Sequence, residues 1–399
     1  MTETRAKVCY HSEVGCGLTH NKVALFSTDL GGGGAERVML TLAESFVREG
    51  LSVDLVVSAG RGALCTDVPH GVRLVDLNAP RLIKSLRPLS KYLARERPAC
   101  VLSALSQANC VAIWARALSR CRTKLVVSEH TTLSVATDNE VVWRYRKLPQ
   151  LMRWSYPFAD SLIAVSNGVA DDLTKMIRYP RGRIQVIYNP VVTPKMMAMS
   201  RLPLDHPWFK PGEPPVVLGV GRLTRQKDFP TLIRAFAILR RQRVARLLIL
   251  GEGEERRSLT QMIEELDLGR DVALPGFVRN PYAFMRAARV FALSSQWEGF
   301  GNVIAEALAC GVPVVATNCP SGPAEILENG ALGRLVPIGD VERMCVALAE
   351  SIDKPLQESP QALQRFTPAD IAKQYLSALG LLQGPPAANG PLTYTDARS

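Results

Sequence analysis

Short apolar runs rich in Val, Ile and Leu recur along the chain, with helical patterns between most of them. In the first half, seven such runs read as strands: Val23–Ser27, Ser52–Val57, Arg73–Leu77, Cys100–Ala104, Lys124–Ser128, Ser161–Val165 and Gln185–Tyr188. Six follow in the second half: Val216–Val220, Leu247–Leu250, Asp271–Leu274, Val290–Leu293, Val312–Ala316 and Gly333–Val336. Most are apolar throughout rather than alternating, as expected of parallel strands covered on both faces. Glu36–Glu49, Phe229–Arg243 and Glu254–Leu268 carry helical periodicity between them. Right-handed crossovers of this kind build open, doubly wound sheets. The pattern therefore predicts an α/β chain of two Rossmann-like parallel-sheet domains, their sheets turning carboxyl ends toward one cleft.

Asn189–Pro215 is rich in proline and short of pattern, and reads as the interdomain linker. The division expected is a first domain over 21–195 and a second over 196–367. A helix over 368–383 follows, a candidate for packing back on the first domain. Residues 1–20 read as a flexible leader and 384–399 as a disordered Gly/Pro/Ala tail. Arg81–Arg97 places Leu82, Leu86, Leu89 and Leu93 on one helical face, and Pro88 predicts a restart there.

Composition narrows the class. No apolar run approaches the ~18 residues of a membrane span, and the polar N-terminus lacks a signal-peptide core. The nine cysteines form no framework, which suits reduced thiols in a cytoplasmic protein. Cys9, His11, Cys16 and His20 match no familiar metal spacing. The net charge of +11 is uneven: residues 1–200 hold 26 basic against 16 acidic side chains, residues 201–399 hold 22 against 21. The first half thus expects an acidic partner: nucleic acid, anionic lipid or a phosphorylated substrate. Trp143–Trp154 interleaves aromatic residues with Arg144, Arg146, Lys147 and Arg153, which suits a lipid headgroup surface. A rim helix with a solvated basic face fits that segment equally well.

Four places carry candidate chemistry. In the run from Ser294 to Ala316, Glu298 precedes a helix and Glu306 lies inside it, with Gly299 and Gly301 between. Glycine lets a ligand approach the backbone, and the helix N-terminus favours a phosphate. Glu306 can reach a ribose diol, leaving Glu298 to face whatever hangs from the phosphate. The first domain opens with a strand and the loop Gly31–Gly34, which includes Gly32 and Gly33 and lacks the lysine of an ATP-binding loop. The second opens with Gly221-Arg222, and Lys227 stands five residues beyond Arg222, two cations suited to a leaving diphosphate. His130 ends a buried strand on the cleft side, as a sugar-binding or a packing histidine.

Together these motifs resemble glycosyltransferase family 4, the retaining enzymes of GT-B fold, over about residues 22–383. The resemblance implies that Arg222 and Lys227 hold the donor diphosphate and that Glu306 holds the ribose. It puts Glu298 by the donor sugar, His130 at the reaction centre, and Gly32 and Gly33 at the donor–acceptor junction. Gly299, Phe300, Gly301 and Asn302 would contact the sugar and β-phosphate through backbone groups. Gly-Gly-Gly-Ala-Glu-Arg-Val and the run from Cys319 to Leu327 resemble bacterial enzymes of surface-glycan assembly. Those imply a UDP-hexose or UDP-N-acetylhexosamine donor, a polyprenyl-diphosphate-linked glycan acceptor, and peripheral attachment to the inner face of the cytoplasmic membrane. No Asp-x-Asp occurs, so no metal or other cofactor is expected, and no nucleic-acid partner. An NAD-dependent nucleotide-sugar oxidoreductase and a non-catalytic glycan-binding scaffold of the same fold are the alternatives.

Overall fold

The structure is a computed structural model that describes residues 22–135, 147–354 and 360–382. The leader, the tail, Arg144 and Arg146 lie outside the described residues. The first lobe holds a parallel sheet of β1 (Lys22–Ser27), β2 (Ser52–Val57), β3 (Val72–Asp76), β4 (Cys100–Ala104), β5 (Lys124–Glu129), β6 (Ser161–Ala164) and β7 (Ile184–Val186). Their order across the sheet is β3-β2-β1-β4-β5-β6-β7. The second lobe holds β8 (Val216–Val220), β9 (Arg246–Leu250), β10 (Val272–Gly276), β11 (Val290–Leu293), β12 (Val314–Thr317) and β13 (Arg334–Val336), in the order β10-β9-β8-β11-β12-β13. Every strand falls on an apolar run read from the sequence, displaced by at most two residues at an end. In each sheet the first strand is central, and chain direction across the sheet reverses beside it. Ligands of such sheets bind at that reversal, outside the strands' carboxyl ends.

Both faces of the first sheet are covered. Val23 and Leu25 of β1 join one apolar cluster, Ala24 and Phe26 the other, as period-two geometry requires. The helix Pro368–Leu379 lies on the Val23 side against the helix Gly34–Arg48, although it follows the second lobe in sequence. Its Tyr375 is fully buried, and its hydroxyl meets Ser128 Oγ at 3.3 Å.

Two sequence readings shift. Asn189–Pro215 is ordered rather than patternless. Thr193 caps the helix Pro194–Ser200 through the Met196 N–H (3.0 Å), and that helix packs on Pro281–Ala287. His206 then docks edge-on against Trp208, Phe209 and Phe284, with centroids 5.5–5.9 Å apart. Three of these rings fall within four residues around the 3-10 turn Pro207–Phe209 and close on Phe284, distant in sequence, so no periodicity marks them. The helical restart also comes earlier than Pro88: a single 3-10 turn, Leu82–Ser85, gives way to the helix Leu86–Glu96. Pro88 then falls in the first turn, where a missing N–H costs nothing.

Tyr375→Ala should destabilise the chain by about 3 kcal/mol, measured as a lowered midpoint of urea unfolding.

Candidate active site

The second lobe supplies a loop stitched from two distant segments. After β8 the chain makes a 3-10 turn, Arg225–Lys227, and the helix proper starts only at Phe229. That turn is tied to the loop after β11. Ser294 Oγ donates to the Lys227 carbonyl (2.7 Å), the Gln296 N–H to the Gln226 carbonyl (2.8 Å), and Gln226 Nε2 to the Trp297 carbonyl (2.8 Å). The aliphatic stem of Lys227 lies against Gly221, where a Cβ would come within 3.3 Å. Its ammonium donates to Glu298 Oε1 at 2.5 Å, and Ser295 Oγ donates to the same oxygen at 2.7 Å. Glu298 is buried, so its charge is matched by a paired cation and a hydroxyl. Arg222 is exposed one residue past Gly221. Gly301, at φ +90°, turns the chain into the helix Asn302–Ala309.

The first lobe grips this loop by its backbone. Thr132 Oγ1 donates to the Glu298 carbonyl (2.8 Å), and Ser166 Oγ donates to the Gly299 carbonyl (2.7 Å). A Cβ on Gly299 would lie 1.9 Å from the His130 carbonyl oxygen, so only glycine fits. Gly322, at φ +91°, presses in the same way on the Phe300 carbonyl, at 1.7 Å from a notional Cβ. The Phe300 ring is buried between Tyr188 and Phe366, where it anchors the loop. Asn302 accepts from Asn189 Nδ2 (2.8 Å), and its amide lies beside Gly34 of the glycine loop. The Glu325 carboxylate crosses between lobes to accept from the Asn167 N–H (2.9 Å), the Gly168 N–H (3.0 Å) and the Tyr188 hydroxyl (3.2 Å). It caps the helix Asn167–Ile177 from outside, a charge-assisted N-terminal contact.

Gly32 takes φ +105°, and Gly33 is the N-cap of Gly34–Arg48. A Cβ on Gly33 would sit 2.4 Å from Glu36 Oε2. His130 directly follows β5, and its Nε2 meets Ser128 Oγ at 3.1 Å. Burial pushes its imidazole down to about 4, so it stands neutral at physiological pH. Beside it, the fully buried Glu129 accepts from Ser106 Oγ (2.7 Å), Asn109 Nδ2 (2.7 Å) and the Tyr156 hydroxyl. Burial nevertheless pushes the Glu129 carboxyl up to about 7.

Across the cleft, each lobe's positive charge opposes the burial of an acid in the other. Burial pushes Glu306, within the helix Asn302–Ala309, up to about 7, opposed by the charge of Arg37 and by the Tyr282 hydroxyl 3.5 Å away. Glu36 is pushed up by burial, opposed by its own backbone N–H and by Arg222 of the other lobe. The structure thus gathers His130, Arg222, Lys227, Glu298, Glu306 and the loop Gly299–Asn302 with Gly32 and Gly33 at the lobe junction. Lys147 and Arg153 belong instead to the helix Leu148–Ser155 and its approach, which packs against Ser106–Ser119. Sequence reasoning gave no role to Thr132, Ser166, Asn189, Glu325, Glu36 or Arg37, although Glu36, Arg37 and Glu325 lie within the motifs of the resemblance. Ser166-Asn167 carried a readable cap signal before a helix, and the others act only across the cleft. No group of three or more His, Cys, Asp or Glu side chains arranged to hold a metal occurs among the described residues.

Residues 32–194 match the family model described as Glycosyltransferase Family 4, and residues 203–369 match that described as Glycosyl transferases group 1. The chain belongs to glycosyltransferase family 4. It is 29% identical, over 83% of its length and 90% of the relative's, to the N-acetylgalactosamine-N,N'-diacetylbacillosaminyl-diphospho-undecaprenol 4-alpha-N-acetylgalactosaminyltransferase of Campylobacter jejuni. It is also 29% identical to the lipopolysaccharide core biosynthesis glycosyltransferase LpsE of Rhizobium meliloti, over 80% of this chain and 86% of that one. Anabaena HepE, solved in complex with UDP and glucose, superposes with a TM-score of 0.74 at 24% identity, over 91% of this chain and 100% of that one. The fold is GT-B, and this member of family 4 is a glycosyltransferase.

Glu306→Gln gives a pH-dependent outcome. The folded carboxyl titrates near 7 against an ordinary 4.5, so the fold favours its protonated form. Its contribution is fully present below 4.5 and is lost as pH rises through 7. The variant should therefore unfold at higher urea than the parent at pH 8, and the gap should close toward pH 5. Gly299→Ala should lower the thermal midpoint and remove activity, because the new methyl group pushes the His130 segment out of register.

Proposed function

We propose that this family 4 enzyme transfers a hexose or N-acetylhexosamine from a UDP-sugar to a lipid-linked glycan, retaining anomeric configuration and needing no metal, in the assembly of a bacterial surface polysaccharide. The observation that carries this reading is the Lys227–Glu298–Ser295 cluster, set beside exposed Arg222 and ahead of the Asn302–Ala309 helix at the junction of two sheets' carboxyl ends. Cations and a helix N-terminus are positioned to stabilise charge developing on a departing diphosphate, the task a divalent metal performs elsewhere. Glu306 would take the ribose and Glu298 the donor sugar. As the bond between the anomeric carbon and the diphosphate oxygen breaks, an acceptor hydroxyl oxygen bonds to that carbon on the same face. The departing phosphate accepts the hydroxyl proton. Neutral His130 would hydrogen-bond the sugar at that centre without adding a positive charge beside an oxocarbenium-like carbon.

The acceptor class is drawn from the Campylobacter relative, whose name specifies a diphospho-undecaprenol-linked glycan. No described helix is long and apolar enough to cross a membrane. Acting on such an acceptor, the enzyme would work as a peripheral protein on the inner face of the cytoplasmic membrane.

The test is transfer from a UDP-sugar panel to a polyprenyl-diphosphate glycan, with product anomers assigned by proton NMR. The expected product has the donor's anomeric configuration and forms at an unchanged rate in EDTA. Lys227→Met should lower kcat about 100-fold or more. An inverted product, or activity that EDTA abolishes, would overturn the mechanism.

A further inference from the structure

We propose that an aromatic stripe on the first lobe is the surface by which this enzyme docks on an anionic bilayer. The inference rests on the lipid-linked acceptor proposed above and assigns the face that meets the lipid. Leu151, Trp154 and Phe158 follow one another at helical spacing along Leu148–Ser155 and the turn after it, and all three are exposed, Trp154 to 75% and Phe158 to 58%. On the neighbouring helix Ser106–Ser119, Trp114 and Leu118 stand four residues apart on one face, also exposed. The Trp114 and Phe158 rings meet at 5.9 Å, so the two sets form one continuous surface.

Hydrogen bonds pin part of this surface from beneath. Trp114 Nε1 donates to Ser155 Oγ at 2.9 Å, and the Arg116 guanidinium reaches Asp160 and the Phe158 carbonyl. Among the described residues the five apolar side chains remain exposed. Grouped large apolar side chains on a soluble surface mark an interaction site, and tryptophan and phenylalanine suit the boundary between headgroups and acyl chains.

Charge decides which partner. Arg153 stands within the stripe, while Arg120 and Arg122 are exposed just past Leu118. Lys84, Arg87 and Lys91 are exposed around the helix Leu86–Glu96, which packs on Ser106–Ser119. Asp160, a described acid beside the stripe, is paired with Arg116. An apolar centre with a basic surround complements anionic headgroups over an acyl layer. Two copies of the same face would instead bring these cations together.

The test uses the full chain, sedimented with vesicles of phosphatidylglycerol and phosphatidylethanolamine or of phosphatidylcholine alone. Binding to the anionic vesicles, with a blue shift of tryptophan emission, is expected. Leu151→Ser/Trp154→Ser should cut that binding at least tenfold and leave the thermal midpoint and UDP binding unchanged, since both side chains are exposed. Equal binding by parent and double variant would overturn the proposal. So would a dimer on gel filtration that the double variant dissolves, because the face would then seat a second copy. Vesicle binding by an enzyme inactive on every lipid-linked acceptor would sustain the docking face while refuting the acceptor assignment.

Discussion

The backbone of Glu298 and Gly299 belongs structurally to both lobes at once, and that shared tenancy constrains everything around it. Gly299 lies so close to the His130 carbonyl that a single methyl group would collide at 1.9 Å. The two successive carbonyls at Glu298 and Gly299 are taken by Thr132 and Ser166 of the opposite lobe. With its backbone fixed from one side, Glu298 sends its side chain the other way, to Lys227 and Ser295. The geometry of the candidate site therefore depends on the register between the lobes rather than on either lobe alone. Glu325 reinforces that register from a second point, capping Asn167–Ile177 with a carboxylate that the helix's own lobe does not supply.

Electrostatics follow from the same closeness. Each lobe presents a cation to the other lobe's acid, Arg37 toward Glu306 and Arg222 toward Glu36. Burial holds His130 neutral. Behind His130, the hydrogen bonds of Ser106, Asn109 and Tyr156 to Glu129 fix the end of β5 that carries the histidine.

Strand positions were legible mainly because the interior parallel strands, covered on both faces, are apolar along most of their length, whereas the edge strands β3, β7 and β10 are only partly buried. Glu298, Arg222 and Lys227 stood out because they follow strand ends punctuated by glycine, and Glu306 because it lies in the helix that starts there; their roles belong to the proposed function. What escaped was longer in range. Nothing local marks Thr132 as a donor to a carbonyl 166 positions away, or Asn189 as the partner of Asn302. The segment around His206 looked patternless because its order comes from a few aromatic contacts to Phe284 and its neighbours rather than from periodicity. The pairing of Lys227 with Glu298 was equally hidden: both residues were singled out, but one for phosphate and the other for sugar, and their ion pair appears only in three dimensions.

Hydrogen–deuterium exchange with and without a UDP-sugar measures the central claim most directly. A donor held at a loop shared by both lobes should protect residues 298–302 of the second lobe together with 130–132 and 166–168 of the first, to similar extents and over the same range of ligand concentration. Protection confined to 298–302, with the first-lobe segments exchanging as before, would contradict the account and leave the donor site to the second lobe alone.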